Sequence, residues 1–248
     1  MNAQTPSIEL SIIAPAHNEQ DNIEGLVDDV RKAMEPTGLR FELVIVDDGS
    51  NDATVERVHQ QIAAGHAWLR VVSVDTPPGR GLGPSAAYRA GIEAATGALI
   101  GIIDADRQND PLDLPKMVDM IRQGGLDLVQ GDRSANRRDN VVRRVSSIVG
   151  RTFRRMVLGD AMRDSACALR VMRREVAMAI PYHFKGMHRF TAYYAKMIGY
   201  KIDQMPVVHH PRIAGEAKFG VWNRALPGFI DLLAVRWMTS RWRRVKIK

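Results

Sequence analysis

Two carboxylates one residue apart, Asp104 and Asp106, follow an apolar run at residues 98–103, and the amide side chain of Gln108 comes two residues later. An unbroken apolar run of this length predicts a buried strand, so the acidic pair comes where that strand enters a loop. Carboxylate and amide oxygens are ligands of hard divalent cations such as Mg²⁺ or Mn²⁺, which take further ligands from phosphates and water. The motif therefore predicts a metal site that clamps a nucleotide diphosphate, with a solvated acidic loop as the alternative.

Two other polar loops follow apolar runs in the same way. Pro15, Asn18 and Glu19 follow one run, and Asp47 and Asp48 follow another. Carboxylates at such a strand end can accept hydrogen bonds from a base or a ribose. The alternatives are local, since Asn18 could cap the next helix and the two aspartates could serve a turn and a helix cap.

Strands and helices that would position these loops alternate along the chain. Apolar runs predict strands at residues 8–14, 41–46, 69–74, 98–103, 126–131, 167–172 and 200–208. Helical spacing of apolar residues predicts helices at residues 21–34, 51–64, 85–95, 141–158 and 189–198, and another after Pro227. This order predicts an α/β fold with a mostly parallel central sheet flanked by helices on both faces. Ligands of such sheets bind at the carboxyl ends of the strands, so the three polar loops should meet at one edge.

Composition bounds the class of protein. With 248 residues, 45% of them hydrophobic, the chain can bury a sizeable core, and we predict one domain at residues 1–226 with an amphipathic helical extension at 227–248. The net charge of +7 favours polyanionic partners such as nucleotides, anionic lipids or nucleic acid. The lone Cys167 excludes an internal disulfide and a cysteine-based zinc site, and it suits a reducing compartment. We expect neither a signal peptide nor a membrane-spanning helix.

A glycine-rich segment at residues 79–83 is similar to part of a dinucleotide-binding fingerprint. That fingerprint joins the first strand to the first helix, whereas this segment follows the third predicted strand. We interpret it as a loop before a helix whose N-terminus can meet a phosphate.

Seven short motifs follow one another in a specific order. They are PAHNE at 15–19, VDDGSND at 46–52, GLG at 81–83, DADRQNDP at 104–111, GDR at 131–133, RDSACALR at 163–170 and RIAGEAK at 212–218. Their order and spacing resemble the family 2 glycosyltransferases of GT-A fold, and within them the polyprenyl-phosphate glycosyltransferases such as dolichol-phosphate mannosyltransferase and its bacterial undecaprenyl-phosphate relatives. The resemblance implies metal-dependent, inverting transfer of a sugar from a nucleotide-diphosphate donor to a polyprenyl phosphate.

The resemblance also implies roles for individual residues. The implied donor-binding residues are Pro15, Asn18, Glu19, Asp47, Asp48, Asp104, Arg212 and Lys218. The implied ligands of Mg²⁺ or Mn²⁺ are Asp104, Asp106 and Gln108. The implied contacts of the acceptor phosphate are Arg133, Arg143 and Ser147. The implied catalytic residues are Asp106 and Asp164.

Some of these roles have alternatives. Arg143 and Ser147 are four residues apart on a predicted helix and so could grip one phosphate together, although Arg143 could also lie on an ordinary solvated face. Asp164 matches the position of the base in relatives with sugar acceptors, and it could instead orient Arg170 or the acceptor. A phosphate acceptor is already anionic near neutral pH and needs no strong base.

Two residues depart from the family pattern, which usually has leucine at Arg107 and serine at Ala217. Ala217 removes a hydroxyl contact there, while Arg212 and Lys218 remain able to bind a diphosphate. Many bacterial relatives also carry C-terminal membrane helices, for which this sequence has no long apolar run.

Basic and apolar residues interleave in two segments, 143–155 and 237–248. The first carries arginines at positions 143, 144, 151, 154 and 155. Such segments favour peripheral binding to an anionic membrane surface, here the cytoplasmic inner face of the cell membrane, and the alternative is a docking helix in a homo-oligomer.

Two other functions are alternatives to sugar transfer onto a lipid acceptor. One is sugar transfer to a soluble or polysaccharide acceptor, with Asp164 as base. The other is a nucleic-acid-binding or scaffold protein, which the charge alone suggests; the sequence has no recognisable helix-turn-helix, RNA-binding aromatic motif or zinc finger, so we expect no nucleic-acid partner. Among donors, GDP-mannose, UDP-glucose and other UDP-sugars remain open.

Overall fold

Seven strands and eight α-helices make up the computed structural model of the chain, which describes residues 7–134, 141–211 and 221–243. Of residues 141–147 and 221–225 it describes the backbone. The strands are β1 (Leu10–Ala16), β2 (Phe41–Asp47), β3 (Leu69–Ser73), β4 (Leu99–Ile102), β5 (Leu128–Asp132), β6 (Arg170–Arg173) and β7 (Ile202–Pro206). The helices are α1 (Ile23–Met34), α2 (Thr54–Ala63), α3 (Pro84–Ala94), α4 (Asp113–Gly124), α5 (Val141–Leu158), α6 (Arg174–Ala179), α7 (Thr191–Ile198) and α8 (Val221–Arg241).

All seven strands belong to one sheet of order β3-β2-β1-β4-β6-β5-β7. Strand β6 runs antiparallel between β4 and β5, and the other neighbours in the sheet are parallel. The prediction of a mostly parallel sheet is confirmed. Because β6 is reversed, its amino end lies at the same edge as the carboxyl ends of the other strands, so the loop before β6 joins the loops that follow β1, β2, β4 and β5.

Helices cover both faces of the sheet, as predicted. On one face, apolar side chains of α1, α2 and α4 pack on the sheet, and Val27, Val58 and Val118 are fully buried there. On the other face the cover comes from α3, α6, α7 and α8, which contribute Ile92 and Leu232 to a second buried cluster. The apolar spacing of α1 explains this, since its residues at intervals of three and four form one buried stripe.

Several boundaries differ from the sequence prediction. Helices α4 and α6 were not predicted: α4 carries Pro115 in its first turn, where proline is tolerated, and α6 has only six residues. Strand β6 begins at Arg170, three residues later than expected.

Helix α8 begins at Val221 and contains Pro227, so the predicted division at residues 226/227 falls inside this helix. Leu232 and Val235 of α8 are buried in the second cluster, which ties the helix to the domain. Among the described residues, no helix has the length and apolar character needed to cross a bilayer.

Candidate active site

The loop after β1 and the loop after β2 are tied together by hydrogen bonds. The Asn18 backbone N–H donates to Ser50 Oγ at 2.9 Å, and the Asn51 N–H donates to Asn18 Oδ1 at 2.9 Å. Asn18 adopts a left-handed conformation with φ 54°, which asparagine tolerates better than most residues. The alternative that Asn18 caps α1 is wrong, because the cap position is occupied by Asn22.

Glu19 lies beside this connection. Its backbone N–H donates to Thr54 Oγ1 at 2.8 Å, and its Oε2 accepts a hydrogen bond of 2.7 Å from the Asn22 amide. Pro15 lies on β1 opposite Val46 of β2. The predicted donor residues of the first loop therefore stand at the carboxyl edge, on a loop whose backbone is fixed by its neighbour.

Asp47 and Asp48 are both buried at the end of β2. Asp47 Oδ1 accepts a hydrogen bond of 3.1 Å from the Ser50 N–H, which supports the predicted turn. The carboxylate of Asp48 accepts two hydrogen bonds, 2.8 Å from the Leu82 N–H and 2.7 Å from the Gly83 N–H. These N–H groups stand just before α3, so the carboxylate of Asp48 lies near the helix N-terminus that, from the sequence, can meet a phosphate.

Gly81 explains why that loop is rich in glycine. A Cβ atom at this position would lie 2.6 Å from Asp48 Oδ2 and 2.9 Å from the Asp48 carbonyl oxygen. A side chain there would push the loop away from Asp48. The loop after β3 thus depends on a close backbone approach, and a glycine in such a place was the only signal of it in the sequence.

Asp104 and Asp106 follow β4 at the same edge, and both are partly buried. Burial raises the pKa of the Asp104 carboxyl to about 6, and the negative charges of Asp106 and Glu19 add to the rise, while Arg133 and Arg170 oppose it. Asp106 Oδ1 accepts a 3.2 Å hydrogen bond from the Gln108 N–H, which closes the loop. Asp106 and the two arginines therefore lie close enough to Asp104 to influence its ionisation.

A divalent cation suits this donor set. Among the described residues no group of three histidine, cysteine, aspartate or glutamate side chains comes together as a metal cluster. A Mg²⁺ ion, however, is commonly held by one or two carboxylates with substrate phosphates and water. Burial and then the charge of Asp106 hold back ionisation of Asp104, and a bound cation would offset both effects.

The segment after β7 is hydrogen-bonded to the loop after β4, a contact that the sequence did not indicate. The His210 N–H donates to the Gln108 carbonyl at 2.8 Å, and Gln108 Nε2 reaches the His210 carbonyl at 3.4 Å. His210 Nε2 also lies 3.1 Å from Asp110 Oδ2. This segment leads towards Arg212 and Lys218, two predicted donor-binding residues that lie outside the described part of the chain.

Arg133 and Asp164 form a bidentate ion pair. Arg133 Nε donates to Asp164 Oδ2 at 2.8 Å and Nη2 donates to Oδ1 at 3.2 Å, although the residues are 31 positions apart. Burial lowers the pKa of the Arg133 guanidinium, and the bonds to Asp164 outweigh this and raise it above its usual value. Asp164 also accepts the N–H groups of Arg133 and Ala166. Arg170, which Asp164 could have oriented in one of the alternatives, donates to the carbonyl oxygens of Cys167, Ala168 and His188.

The other two predicted acceptor-phosphate residues, Arg143 and Ser147, lie one turn apart in α5. The structure describes the backbone of that turn and not its side chains. Their shared helix face agrees with the spacing argument, and their contacts stay a prediction.

Helices α5 and α8 pack against each other, with the ring centroids of Phe153 and Phe229 5.6 Å apart. Together they present a set of exposed apolar side chains, here called the α5–α8 face. It consists of Ile148, Val149, Phe153, Met156, Leu226, Phe229, Ile230, Leu233 and Trp237. Among the side chains that the structure describes on these two helices, the exposed arginines are Arg151, Arg155, Arg236 and Arg241.

Arg154 departs from the expected basic face of α5. Its guanidinium turns into the protein, where Nε pairs with Asp160 and Nη1 donates to the Arg189 carbonyl at 3.0 Å. It also stacks 4.7 Å above the Phe190 ring. Helix spacing alone could not reveal this, because the partners come from later segments of the chain.

Comparison with known proteins decides the family. The model of glycosyl transferase family 2 matches residues 11–180, more than half of the chain. The chain belongs to this family. It is a glycosyltransferase, as the motifs predicted, and the matched region contains the loops after β1, β2, β4 and β5.

Two curated relatives of this family 2 glycosyltransferase are similar over most of its length. The dodecaprenyl-phosphate galacturonate synthase of Rhizobium johnstonii is 35% identical over 237 residues, which is 94% of this chain and 68% of that protein. The undecaprenyl-phosphate 4-deoxy-4-formamido-L-arabinose transferase of Edwardsiella ictaluri is 32% identical over 212 residues, which is 86% of this chain and 63% of the relative.

Solved structures confirm the predicted GT-A fold. Glucosyl-3-phosphoglycerate synthase from Mycobacterium tuberculosis, solved with phosphoglyceric acid, has a TM-score of 0.68 and 26% identity and covers 92% of this chain and 79% of its own. The same enzyme solved with Mn²⁺ and UDP-glucose has a TM-score of 0.66 and 26% identity, covering 92% of this chain and 78% of its own. A mannosyltransferase from Pyrobaculum calidifontis, 19% identical with a TM-score of 0.66, covers 98% of this chain and 67% of its own and shares the fold.

Proposed function

We propose that this glycosyltransferase moves a sugar from a nucleotide-diphosphate donor, GDP-mannose or a UDP-sugar, to the phosphate of a polyprenyl phosphate, with inversion at the anomeric carbon. The observation that carries the proposal is the meeting of opposite charges at one edge of the sheet. Asp104 and Asp106 stand there with Arg133 and Arg170, whose charges act on the pKa of Asp104. Both curated relatives are named for polyprenyl-phosphate products or acceptors, which supports the lipid acceptor.

The donor would lie along the loops after β1, β2 and β4. Its proposed contacts are Pro15, Asn18, Glu19, Asp47, Asp48, Asp104, Arg212 and Lys218. The hydrogen bonds between the first two loops pre-form this surface, so that little ordering is left for the donor to drive. The buried carboxylate of Asp48 contributes by holding the loop at Leu82 and Gly83 as much as by any contact of its own.

The proposed metal is Mg²⁺ or Mn²⁺, held by Asp104, Asp106 and Gln108 together with the donor diphosphate. When bound, such an ion offsets the negative charge of a departing nucleoside diphosphate. The Mn²⁺ and UDP-glucose complex of a structural neighbour with 26% identity supports this proposal. Asp106 would also keep the loop closed through its hydrogen bond to the Gln108 N–H.

The acceptor phosphate would approach Arg133, with Arg143 and Ser147 of α5 as further contacts. Asp164 engages Nε and Nη2 of Arg133, which leaves Nη1 as the guanidinium nitrogen outside the ion pair. In this role Asp164 orients the guanidinium of Arg133, so we assign it as a positioning residue and not as the base. An oxygen of the acceptor phosphate, already anionic near neutral pH, would attack the anomeric carbon directly, and the main contributions of the protein are positioning and electrostatics.

We also propose that the α5–α8 face binds the cytoplasmic surface of an anionic membrane. Its exposed side chains at positions 226, 229, 230, 233 and 237 follow helical spacing, on the side of α8 away from buried Leu232 and Val235. Each arginine near an anionic membrane surface adds about 1 kcal/mol of attraction. Because Arg143 and Ser147 belong to α5, binding through this face would bring them near lipid phosphates.

A vesicle assay tests the membrane part. Leu233→Glu should weaken binding to vesicles that contain phosphatidylglycerol, whereas Leu112→Glu, at a somewhat more exposed leucine before α4, should bind like the wild type. Equal binding by all three proteins would contradict the membrane role. If Leu233→Glu instead breaks a dimer in sedimentation while vesicle binding persists, the face is an oligomer interface.

A product-release assay tests the reaction. Purified protein is mixed with Mn²⁺ or Mg²⁺, a short polyprenyl phosphate and a panel of nucleotide sugars, with Asp106→Ala as the inactive control. We expect release of GDP or UDP that requires the lipid, together with a labelled product that extracts into organic solvent.

The second candidate is transfer to a soluble acceptor. A structural neighbour with 26% identity was solved with phosphoglyceric acid, a small phosphate-bearing molecule, and the same Arg133 could recognise such a phosphate. Nucleotide release that phosphoglycerate stimulates and the lipid does not would favour this candidate over the lipid acceptor.

A further inference from the structure

Arg107 stands between two of the proposed metal ligands, Asp106 and Gln108, but its side chain leaves the edge of the sheet. It runs to α1, where Nε donates to Asp29 Oδ2 at 2.8 Å. The backbone at Arg107 is left-handed, with φ 60°, a conformation that arginine rarely adopts. The turn that carries Asp106 and Gln108 is therefore held by something other than local preference.

Helix α1 has a seat for this guanidinium. A Cβ atom at Gly25 would lie 2.2 Å from Arg107 Nη1 and 2.3 Å from Cζ, so the guanidinium lies directly on the helix backbone. Gly25 and Asp29 are four residues apart and so share a face of α1. A glycine inside a helix weakens that helix, and here the contact with Arg107 accounts for its presence.

We propose that Arg107 is a positioning residue which, seated on Gly25 and Asp29, fixes the turn that aims Asp106 and Gln108 at the metal. Its guanidinium pairs with Asp29 of α1 instead of binding the donor. The contacts of Arg107 with Gly25 and Asp29 fix the loop relative to the rigid helix α1. Without them, the strained backbone of the loop would relax. This inference rests on the metal site of the proposed function and adds the residues that hold the site in shape.

The test measures Mn²⁺ binding in the presence of UDP or GDP, with free Mn²⁺ followed by its EPR signal. Arg107→Ala and Gly25→Ala should each weaken Mn²⁺ binding about tenfold, as expected when the supports of metal ligands are removed. Asp29→Asn should weaken it less, because Gly25 still seats the guanidinium. Melting temperatures of the metal-free proteins are recorded in parallel, because a purely structural role would lower these and leave the Mn²⁺ affinity of the folded protein unchanged.

A matched control is available on the same helix. Asp28 is next to Asp29 and pairs with Arg31 at 2.7 Å and with Lys32 at 2.5 Å. Asp28→Asn removes the same charge without touching Arg107, and it should bind Mn²⁺ like the wild type.

Wild-type affinity in Arg107→Ala would overturn the positioning role and leave the proposed sugar transfer intact. Absence of Mn²⁺ binding by the wild type itself would overturn both this inference and the metal site. Because the assay needs neither sugar transfer nor a lipid, failure of the lipid acceptor would not affect it.

Discussion

The pKa values of two acids at opposite edges of the same sheet are shifted in opposite directions. Glu42, near the amino end of β2, is buried, yet its pKa is below the usual value: burial raises it, and hydrogen bonds from Ser11 and Thr96 with the charge of Arg70 outweigh that effect. Asp104, after the carboxyl end of β4, has a pKa raised to about 6 by burial and by Asp106. The first acid accepts several hydrogen bonds within the chain, whereas among the described residues none donates a hydrogen bond to the carboxylate of the second.

The partners of Glu42 show what complete satisfaction requires. Ser11 Oγ donates at 2.5 Å, the Thr96 N–H and hydroxyl donate at 2.8 and 2.7 Å, and Arg70 pairs at 2.7 Å. At the other edge, Arg133 donates to Asp164 and Arg170 donates to backbone carbonyls, and in the described part of the chain their charges act on Asp104 without a hydrogen bond to it. The amino edge is built for stability, and the carboxyl edge keeps a charge that a cation of the substrate complex would balance.

The largest expected effect is a difference in activity between variants of the two acids. Asp104→Asn should lower the rate of sugar transfer about 100- to 1,000-fold, because an electrostatic contact at the reacting diphosphate is lost. Glu42→Gln should keep the turnover of the wild type per folded molecule. Initial rates with saturating nucleotide sugar, normalised to the folded fraction by circular dichroism, make the comparison. Equal losses in both variants would mean that the edges do not differ in function.

The free energy of unfolding should show the opposite contrast, with the larger loss at Glu42 and not at Asp104. Glu42→Gln should lower the free energy of unfolding by about 3 kcal/mol, because Ser11, Thr96 and the half-exposed Arg70 lose the buried carboxylate that they share. Urea unfolding of the metal-free protein at neutral pH measures this. A change below about 0.5 kcal/mol, the size usual for a solvent-exposed ion pair, would contradict the contrast.

The pH dependence gives a smaller and more specific effect. The pKa of Asp104 is raised in the folded state, so its contribution to the stability of the metal-free protein is fully present below about pH 4 and is lost as the pH rises through about 6. In Asp104→Asn this decrease in stability with rising pH should be absent. Relative to wild type, the variant should gain about 1–2 kcal/mol between pH 4.5 and 7.5 in urea unfolding. If the stability difference between Asp104→Asn and the wild type stays constant over this pH range, a group other than Asp104 takes up the proton.

Most of the fold could be predicted from the sequence, because the patterns that mark strands and helices are local. Apolar runs marked the strands, and the polar residues after them, such as Asp47 and Asp104, marked the edge at which the loops meet. The reversed direction of β6 could not be read, since a run of four residues carries no sign of its orientation. Helix α4 was missed because Pro115 interrupts its pattern near the start.

Features of the site that depend on contacts between distant residues were beyond the sequence. The Arg133–Asp164 pair joins residues 31 positions apart, and Asp48 reaches the N–H groups of Leu82 and Gly83 across 34 and 35 positions. The inward turn of Arg154 follows from Asp160 and Phe190. Side-chain partners of this kind are chosen by the tertiary fold, whereas residue types and spacing indicate only which side chains stand at the edge.

The most direct measurement of the central claim is the thermal stability of three proteins, wild type, Asp104→Asn and Glu42→Gln, with UDP or GDP and Mn²⁺ added separately and together. We predict that the pair of ligands raises the melting temperature of the wild type and of Glu42→Gln by similar amounts, and that either ligand alone does little. Asp104→Asn should gain nothing from the pair, although it is at least as stable as the wild type without ligands at pH 7.5. A gain in Asp104→Asn equal to that of the wild type would contradict the claim that the acidic pair after β4 holds the metal and the donor diphosphate.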